Sequence, residues 1–328
     1  MRIVFHGENA ASFSSGFAEL VGPEAQVFLL PDVLASEAEQ TCYASADVLI
    51  GIRYDATLPR LQHLSLFHVP GAGYDKVDLA ALPHEAVVCN CFGHGPAIAE
   101  YVMAALLARH VPLSDADARL RRGEWAYWAG APDRVHEEIA GKTMGLLGFG
   151  HIGKSIAARA KAFDIRVHAA NRSAVSDPAL VDHRFALNDL DEFWSTSDFI
   201  VVSVPLTPQT AGIVGRKAFA AMRPSAVVVN VGRGATIDEH ALFDALASKR
   251  IAGAIIDTWY QYPTPDRAAV LPSALPFHEL SNVLMTPHMS AWTDGTIRRR
   301  QQAMARNIRK RFAGQPCSEV IREAATSA

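Results

Sequence analysis

The sequence predicts a protein of the α/β class, with parallel β-sheets that helices cover on both faces. Two observations support this prediction. Short apolar runs alternate with helical segments along the chain, from residues 2–6 near the start to residues 283–285 near the end. A glycine-rich turn also joins the buried apolar run 143–147 to an amphipathic helix. Strands and helices that alternate in this way form doubly wound sheets, whose strands are buried on both sides.

The first 110 residues contain several apolar runs of strand length separated by helical segments. The predicted strands are residues 2–6, 26–30, 48–52, 65–69 and 86–91, and the predicted helices are residues 14–20, 36–44 and 96–109. The loop Gly71, Ala72 and Gly73 directly follows the fourth strand. Its backbone N–H groups lie at the carboxyl end of a strand, where α/β proteins bind ligands. The loop either holds a substrate carboxylate or is a simple tight turn.

The same alternation resumes in the second half of the chain. The predicted strands are residues 143–147, 165–170, 199–204, 226–231, 252–256 and 283–285, and the predicted helices are residues 154–163, 238–248 and 294–313. Polar residues recur just beyond the strand ends, where a doubly wound sheet binds its ligand. After the last helix the chain is polar, and we expect this tail to be mobile.

The turn after residues 143–147 has the pattern G-x-G-x-x-G, formed by Gly148, Gly150 and Gly153. The first glycine permits a sharp exit from the strand, and the second lets a pyrophosphate approach the backbone. The third glycine lets the helix lie close to the sheet. The N–H groups at the start of the helix then face the phosphates. A lone match could be a plain glycine turn, but a strand on each side and a helix between them predict a dinucleotide site.

The second strand of this unit ends at Asn171, Arg172 and Ser173, where NAD sites usually place Asp or Glu. A carboxylate there binds the ribose 2′-hydroxyl, whereas NADP sites omit it and supply an arginine for the 2′-phosphate. The uncharged Asn followed by Arg therefore favours NADP. If Arg172 is only a solvated charge, NAD remains the alternative.

Composition and charge exclude several classes of protein. The chain has 328 residues, 49% of them apolar and 20% charged, with a formal net charge of −3. This balance gives no electrostatic reason to bind nucleic acid or an anionic membrane. No apolar run approaches the roughly 18 residues of a membrane span, and the first residues are typical of a strand rather than of a secretory signal. The four cysteines show no metal or disulfide spacing, so we expect a cytoplasmic protein without a metal.

Two residues at strand ends suit hydride transfer to the carbonyl of an oxoacid. Such a site needs a cation that binds the carboxylate and polarises the carbonyl, and a proton donor that titrates near the working pH. Arg233 lies between two glycines, and its fork can bind a carboxylate at two points. His288 follows Pro287 at another strand end, and its imidazole titrates in the required range.

The chain resembles the D-isomer-specific 2-hydroxyacid dehydrogenases, whose relatives include phosphoglycerate, hydroxypyruvate and formate dehydrogenases and glyoxylate reductase. Matching stretches occur in the family's order along most of the chain. They are GAGYDKVDLAAL (71–82), IAEYVMAALLA (98–108), GKTMGLLGFGHIG (141–153), PLTPQT (205–210), NVGRGATIDEHAL (230–242), IAGAIIDTW (251–259) and NVLMTPHMSAWT (282–293). Several such motifs together are far more specific than any one of them.

The resemblance implies two doubly wound parallel-sheet domains, with a Rossmann NAD(P)-binding domain inserted in a flavodoxin-like substrate domain. The substrate domain would comprise residues 1–112 and 294–328, and the dinucleotide domain residues 113–293. The family also implies a homodimer. Arg233 would bind substrate, His288 would act as acid and base, and the loop 71–73 would meet the substrate carboxylate. Residues implied to contact the cofactor, besides the glycines of the turn, are His151, Ile152, Val204, Pro205, Thr210, Val231, Gly232 and Asp257.

One departure from the family concerns the partner of the catalytic histidine. The family usually has Glu five residues after the strand-end Asp, and here that position is Tyr262. Loss of the carboxylate removes a charge that raises the pKa of the histidine. We hypothesise that the pKa of His288 is correspondingly lower, and that Tyr262 or Gln261 orients its ring.

The sequence and the resemblance together predict an NAD(P)-dependent oxidoreductase that acts on a small 2-oxoacid or 2-hydroxyacid. Glyoxylate and hydroxypyruvate are the leading substrates. Formate dehydrogenases have Gln at the position of Tyr262, so an enzyme of that type is one rival. The other rival is a cofactor-sensing binding protein with little turnover.

Overall fold

The computed structural model describes residues 1–130, 134–173, 177–264 and 267–325. Strands within these residues are β1 (Arg2–His6), β2 (Gln26–Leu30), β3 (Val48–Gly51), β4 (Leu66–His68), β5 (Val87–Cys89), β6 (Thr143–Leu147), β7 (Arg166–Asn171), β8 (His183–Ala186), β9 (Phe199–Val202), β10 (Val227–Asn230), β11 (Gly253–Ile256), β12 (Val283–Met285) and β13 (Val320–Arg322). The α-helices there are α1 (Glu8–Ala11), α2 (Phe17–Val21), α3 (Glu37–Ala44), α4 (Gly95–His110), α5 (Leu113–Leu120), α6 (His151–Ala162), α7 (Asp191–Thr196), α8 (Arg216–Ala221), α9 (Glu239–Ala247) and α10 (Asp294–Phe312). Strands and helices alternate along most of the chain, and the predicted α/β class is confirmed.

Met1–Gly93 and Thr293–Ala328 form one compact unit. Its sheet has the strand order β13-β5-β4-β3-β1-β2, and β1 to β5 are parallel. The order 2-1-3-4-5 is that of the flavodoxin-like doubly wound sheet. Strand β1 contributes to an apolar core on each face, with Ile3 and Phe5 in one core and Val4 in the other. Helices therefore cover this sheet on both sides.

His94–Trp292 form the second compact unit. Its sheet has the order β12-β11-β10-β9-β6-β7-β8, and all its strand pairs are parallel. The strands β8, β7, β6, β9, β10 and β11 follow the 3-2-1-4-5-6 order of a Rossmann fold. Val227 and Val229 of β10 lie in the core on one face, and Val228 lies in the core on the other. The apolar runs of β6, β9, β10 and β11 are continuous because both faces of these inner strands are buried.

The predicted domain boundary placed the long helix α4 in the first domain, with residues 1–112. In the structure the second unit begins at His94 and therefore contains α4. Helix α4 packs closely on α6: a Cβ atom on Gly95 would lie 2.9 Å from the carbonyl oxygen of His151 and 2.5 Å from Ser155 Oγ. Its apolar side chains Val102 and Leu106 belong to the same core as Ile156 of α6. The packing therefore places α4 with the second sheet.

The tail after α10 was expected to be mobile, but its described part, residues 313–325, adds a strand to the sheet of the first unit, so the expectation is wrong for these residues. Strand β13 pairs antiparallel with β5, with Val320 opposite Cys89. The side chain of Asn307, buried on α10, donates to Ser318 O at 2.9 Å and accepts from Ser318 N at 2.9 Å. Val320 and Ala324 also pack against one core of this unit, and Ile321 packs against the other.

The described residues contain no helix that combines the length and the apolar character needed to cross a membrane. In the same part of the chain no three His, Cys, Asp or Glu side chains gather as the ligands of a metal ion would.

Gly153 in the first turn of α6 allows that helix to approach β6. A Cβ atom at this position would collide with the carbonyl oxygen of Gly148. Gly150 is different, because its Cβ would meet no atom within 4 Å. Gly153 therefore serves the packing of the fold, and Gly150 leaves an open space above the turn.

We expect Gly153→Ala to destabilise the second unit by about 1–3 kcal/mol, because the added methyl group forces α6 away from the strand. Gly150→Ala is the matched control, and it should change the free energy of unfolding by less than about 1 kcal/mol. Thermal unfolding of the two cofactor-free variants measures the difference. Equal melting temperatures for both variants would contradict the packing role of Gly153.

Candidate active site

The turn between β6 and α6 has the geometry of a phosphate cradle. Gly148 has φ +101°, a left-handed conformation that favours glycine. The space beside Gly150 is open, and the helix begins at the next residue, His151, which is exposed. The N–H groups of the first helical turn and the helix dipole together favour an anion there. A side chain at position 150 would occupy the space that a pyrophosphate needs, so the turn fits a dinucleotide.

Asn171 connects this turn to the loop after β7. Its side-chain oxygen accepts a hydrogen bond from Phe149 N at 3.3 Å, and its amide nitrogen donates to Ser173 O at 3.0 Å. Arg172 and Ser173 are exposed. The position that would carry a carboxylate in an NAD site therefore holds an amide that braces the following loop, with the Arg172 cation next to it.

The ends of β9 and β10 lie side by side next to the glycine turn. A Cβ atom on Gly232 would lie 3.0 Å from the carbonyl oxygen of Val204, and Val204 and Val231 are both buried. Thr210 is also buried, and its hydroxyl donates to Pro205 O at 2.6 Å. Thr210 thus closes the loop that follows β9, which gives it a structural role in addition to any contact with a cofactor.

The backbone of Arg233 is held by two neighbours. Its carbonyl oxygen accepts from Asn230 Nδ2 at 3.1 Å and from Thr236 Oγ1 at 2.6 Å. The next residue must be glycine, because a Cβ atom on Gly234 would collide with the carbonyl oxygen of Trp259. The half-buried Arg233 side chain donates from Nη1 to Gly232 O at 3.0 Å. Tight packing at the end of β10 therefore fixes the start of this side chain.

His288 lies beside Tyr262, the residue found in place of the usual Glu. The Tyr262 hydroxyl is 3.0 Å from His288 Nδ1, and the same oxygen accepts from Trp259 N at 3.1 Å. Burial raises the pKa of Tyr262, while the Trp259 N–H and the positive charge of Arg233 lower it. Gly234, the neighbour of Arg233, packs against the carbonyl oxygen of Trp259. The loop that carries Arg233 therefore lies against the segment whose Tyr262 contacts the imidazole.

A tyrosine hydroxyl can serve either protonation state of the imidazole. When Nδ1 carries no proton, the hydroxyl of Tyr262 donates to it; when Nδ1 is protonated, it donates to the phenolic oxygen. The hydroxyl orients the ring of His288 in both states. Unlike a carboxylate, it adds no negative charge that would favour the protonated form.

Asp257 at the end of β11 holds the turn that carries His288. The carboxylate is fully buried and accepts from Thr286 Oγ1 at 2.6 Å, from Met289 N at 2.8 Å and from Ser290 N at 3.0 Å. His288, in the middle of this turn, has φ +58°, which a residue with a side chain rarely adopts. The resemblance implied a cofactor contact for Asp257, and what the structure shows is that its oxygens bind the turn that carries His288.

Two further side chains, which the sequence did not single out, support the same turn. Trp259 Nε1 donates to Thr286 O at 2.8 Å, and the Tyr101 hydroxyl lies 2.7 Å from Thr286 Oγ1. Because the threonine hydroxyl donates to Asp257, Tyr101 must be the donor to Thr286. Burial raises the pKa of Tyr101 to about 12, so it keeps its proton. A tyrosine within the largely apolar helix α4 was the signal that could have identified it.

The glycine loop predicted to bind substrate lies in the first unit. The carbonyl oxygen of Gly71 accepts from Cys91 N at 3.2 Å, and that of Ala72 accepts from Asn90 Nδ2 at 2.7 Å. Gly73 is exposed. Asn90 and Cys91, which directly follow β5, thus support the loop from one side.

The group formed by Arg233, Tyr262 and His288 can carry out acid–base chemistry on a polarised carbonyl. An arginine fork binds a carboxylate or carbonyl oxygen, and an imidazole held through Nδ1 presents Nε2 for proton transfer. The glycine turn of the same unit can hold the phosphates of a dinucleotide.

Comparison with known proteins identifies the family. Residues 101–290 match the family model described as D-isomer specific 2-hydroxyacid dehydrogenase, NAD binding domain. D-3-phosphoglycerate dehydrogenase of Methanocaldococcus jannaschii is 31% identical over 80% of this chain and 48% of its own length. Hydroxypyruvate reductase of Thermotoga maritima is 34% identical over 73% of this chain and 74% of its own. The chain therefore spans about half the length of the phosphoglycerate dehydrogenases that it matches.

A solved structure supports the same relationship. The acyclic imino acid reductase Bsp5, in complex with NADPH and D-Arg, has a TM-score of 0.77 at 26% identity, over 98% of this chain and all of the other. The topology of both sheets and the order of the motifs agree with these matches. The chain belongs to the D-isomer-specific 2-hydroxyacid dehydrogenase family.

Proposed function

We propose that this protein is an NAD(P)-dependent oxidoreductase that interconverts a small 2-oxoacid and the corresponding 2-hydroxyacid. The observation that carries the proposal is the contact of His288 with the Tyr262 hydroxyl at 3.0 Å, beside the loop of Arg233, where Gly234 packs against Trp259. Glyoxylate and hydroxypyruvate are the leading substrates. The family match and the relative named as hydroxypyruvate reductase support this choice.

In the proposed reaction a 2-oxoacid, a hydride and a proton form a 2-hydroxyacid. A nicotinamide dinucleotide bound on the glycine turn 148–153 supplies the hydride. Arg233 binds the substrate and polarises its carbonyl, which lowers the barrier by stabilising the developing negative charge. His288 donates a proton from Nε2 to the oxygen as the hydroxyl forms, and accepts it in the reverse direction. Tyr262 holds the ring, and Asp257 holds the turn on which the ring stands.

We assign the remaining residues on the same basis. The loop 71–73 receives the substrate carboxylate, and the unit of residues 1–93 and 293–328 is the substrate domain. The second unit holds the cofactor. The contacts that we propose for the cofactor, beyond the glycines, are His151, Ile152, Asn171, Arg172, Ser173, Val204, Pro205, Thr210, Val231, Gly232 and Asp257. Their placement on β6, β7, β9, β10 and β11 ends or loops supports the assignment, because ligands of such sheets bind at the carboxyl ends of the strands.

We also propose a homodimer in the cytoplasm, as the family resemblance implies. Exposed apolar side chains in the second unit support a contact surface there, since Trp125 is 70% exposed and Trp128 is 56% exposed. A mass of twice the chain by light scattering is the expected result, and a monomer would reject the dimer.

A second candidate is the reduction of a 2-imino acid. The observation that favours it is the uncharged partner of His288, because Tyr262 does not promote protonation of the imidazole. A protonated imine already carries its proton, so hydride addition yields the amine without a general acid. A neutral imidazole could instead accept a hydrogen bond from the N–H of the iminium.

The first experiment follows nicotinamide absorbance with NADPH and with NADH against a panel of 2-oxoacids, each with and without an added primary amine. Turnover of glyoxylate or hydroxypyruvate without amine supports the main proposal, and turnover that requires the amine supports the second candidate. His288→Gln should lower kcat on an oxoacid by about 10²- to 10⁴-fold, because it removes the proton donor. Tight cofactor binding with no turnover would instead point to the sensing protein.

NADP is the proposed cofactor, because Asn171 supplies no carboxylate and Arg172 lies exposed beside it. Arg172→Ala should raise KM for NADPH about tenfold through loss of a charge-assisted hydrogen bond to the 2′-phosphate. KM for NADH is the internal control and should stay the same. An equal change in KM for NADPH and for NADH would show that Arg172 does not bind the 2′-phosphate.

Tyr262→Glu should raise the pKa of His288 by about one unit, because a carboxylate stabilises the adjacent imidazolium. The protonated ring is the active form in reduction, so the loss of reductase activity at high pH should move to higher pH. The neutral ring is active in oxidation, so the acidic limb of that profile should also move upward. Tyr262→Gln is the control of equal shape without the charge. Identical pH profiles for the Glu and Gln variants would exclude the electrostatic role.

A further inference from the structure

Arg300 of helix α10 lies against the glycine loop of the first unit. A Cβ atom on Gly71 would be 3.8 Å from each of Arg300 Cζ, Nη1 and Nη2. Three equal distances mean that the guanidinium presents its flat face to Gly71. Its Cζ atom also lies 6.0 Å from the centre of the Phe13 ring. The cation is therefore held between an aromatic ring and the loop.

The backbone of the loop is oriented so that two N–H groups point away from its support. The carbonyl oxygens of Gly71 and Ala72 both accept bonds from the strand-end residues Cys91 and Asn90. A trans peptide places the N–H opposite its C=O. The N–H groups of Ala72 and Gly73 consequently face away from those two residues. Successive N–H groups turned to one side form a concave site for an anion.

The charge of Arg300 has the same sign as the exposed ends of those N–H dipoles. Arginine stays protonated in proteins, although burial lowers the pKa of this guanidinium. A charge in a partly buried position is screened less than one in water, so its field reaches the neighbouring loop. The loop and the arginine together make a stronger site for an anion than either would alone.

We propose that Arg300 anchors the carboxylate of the substrate on the Gly71–Gly73 loop through its positive charge. The proposal rests on the proposed function, in which this loop receives the substrate carboxylate. Arg300 acts on the bound anion through the field of its charge, so it is a positioning residue rather than a catalytic one.

The test measures the binding of oxalate, a small dicarboxylate probe, by titration calorimetry to the protein saturated with NADPH. The variants are Arg300→Met and Arg300→Gln, which remove the charge, and Arg300→Lys, which restores it. Arg298→Gln is the matched control, because Arg298 lies on the same helix, is exposed, and contacts Asp294. Melting temperatures establish that each variant is folded, and Arg300→Gln carries the comparison if Arg300→Met unfolds.

We expect the uncharged variants to bind oxalate about tenfold more weakly, the Lys variant to recover most of the affinity, and the Arg298 variant to match the wild type. In steady-state kinetics the same loss should fall on KM for the oxoacid more than on kcat. Unchanged oxalate binding in a folded, uncharged variant would overturn the proposal, as would a Lys variant as weak as the Gln variant.

The outcome separates this proposal from the proposed function. Oxalate binding that depends on Arg300, in a protein that turns over no oxoacid, would support the anion site and reject the reaction. Turnover of oxoacids, together with an oxalate affinity that is the same in the wild type and in the Arg300 variants, would support the reaction and reject the anion site.

Discussion

The buried carboxylate of Asp257 is the interaction on which the rest of the candidate site depends. It binds Thr286 Oγ1 and the backbone N–H groups of Met289 and Ser290, on both sides of His288. A left-handed residue costs about 1–3 kcal/mol, whereas three hydrogen bonds to a charged group are worth about 4 kcal/mol or more together. The carboxylate therefore outweighs the strain at His288 and fixes the direction of its ring.

The chemistry of the candidate site depends on the side chains that contact the imidazole ring of His288. A carboxylate next to an imidazole favours the charged ring, but the neutral hydroxyl of Tyr262 holds the ring without that preference. Burial raises the pKa of this hydroxyl, and the positive charge of Arg233 opposes that rise in part. In the proposed reaction Arg233 would polarise the carbonyl and His288 would transfer the proton, with no carboxylate beside the ring to favour its charged form.

Much of this architecture could be predicted from the sequence, and particular residues show why some of it could not. The bounds of β1, β2, β6 and β12 agree with the predicted strands, because each is a largely unbroken apolar run, although only β1 and β6 are buried along most of their length. The short edge strand β13 carried no such run, since Asn307 and β5 hold it in place. The packing of α4 on α6 was equally hidden, because a helix that is apolar on every side does not indicate which sheet it covers.

The sequence by itself determined the class of fold, the dinucleotide turn and the candidate pair Arg233 and His288, because these depend on local patterns of apolar residues, glycine and charge. Only the tertiary structure decided which side chain contacts His288. Tyr262 is 26 residues away in the chain, and its hydroxyl reaches the ring because Trp259 and Asp257 hold the two loops together. It also decided that Arg300 lies against Gly71, since a contact between residues distant in sequence requires the packing of the whole unit.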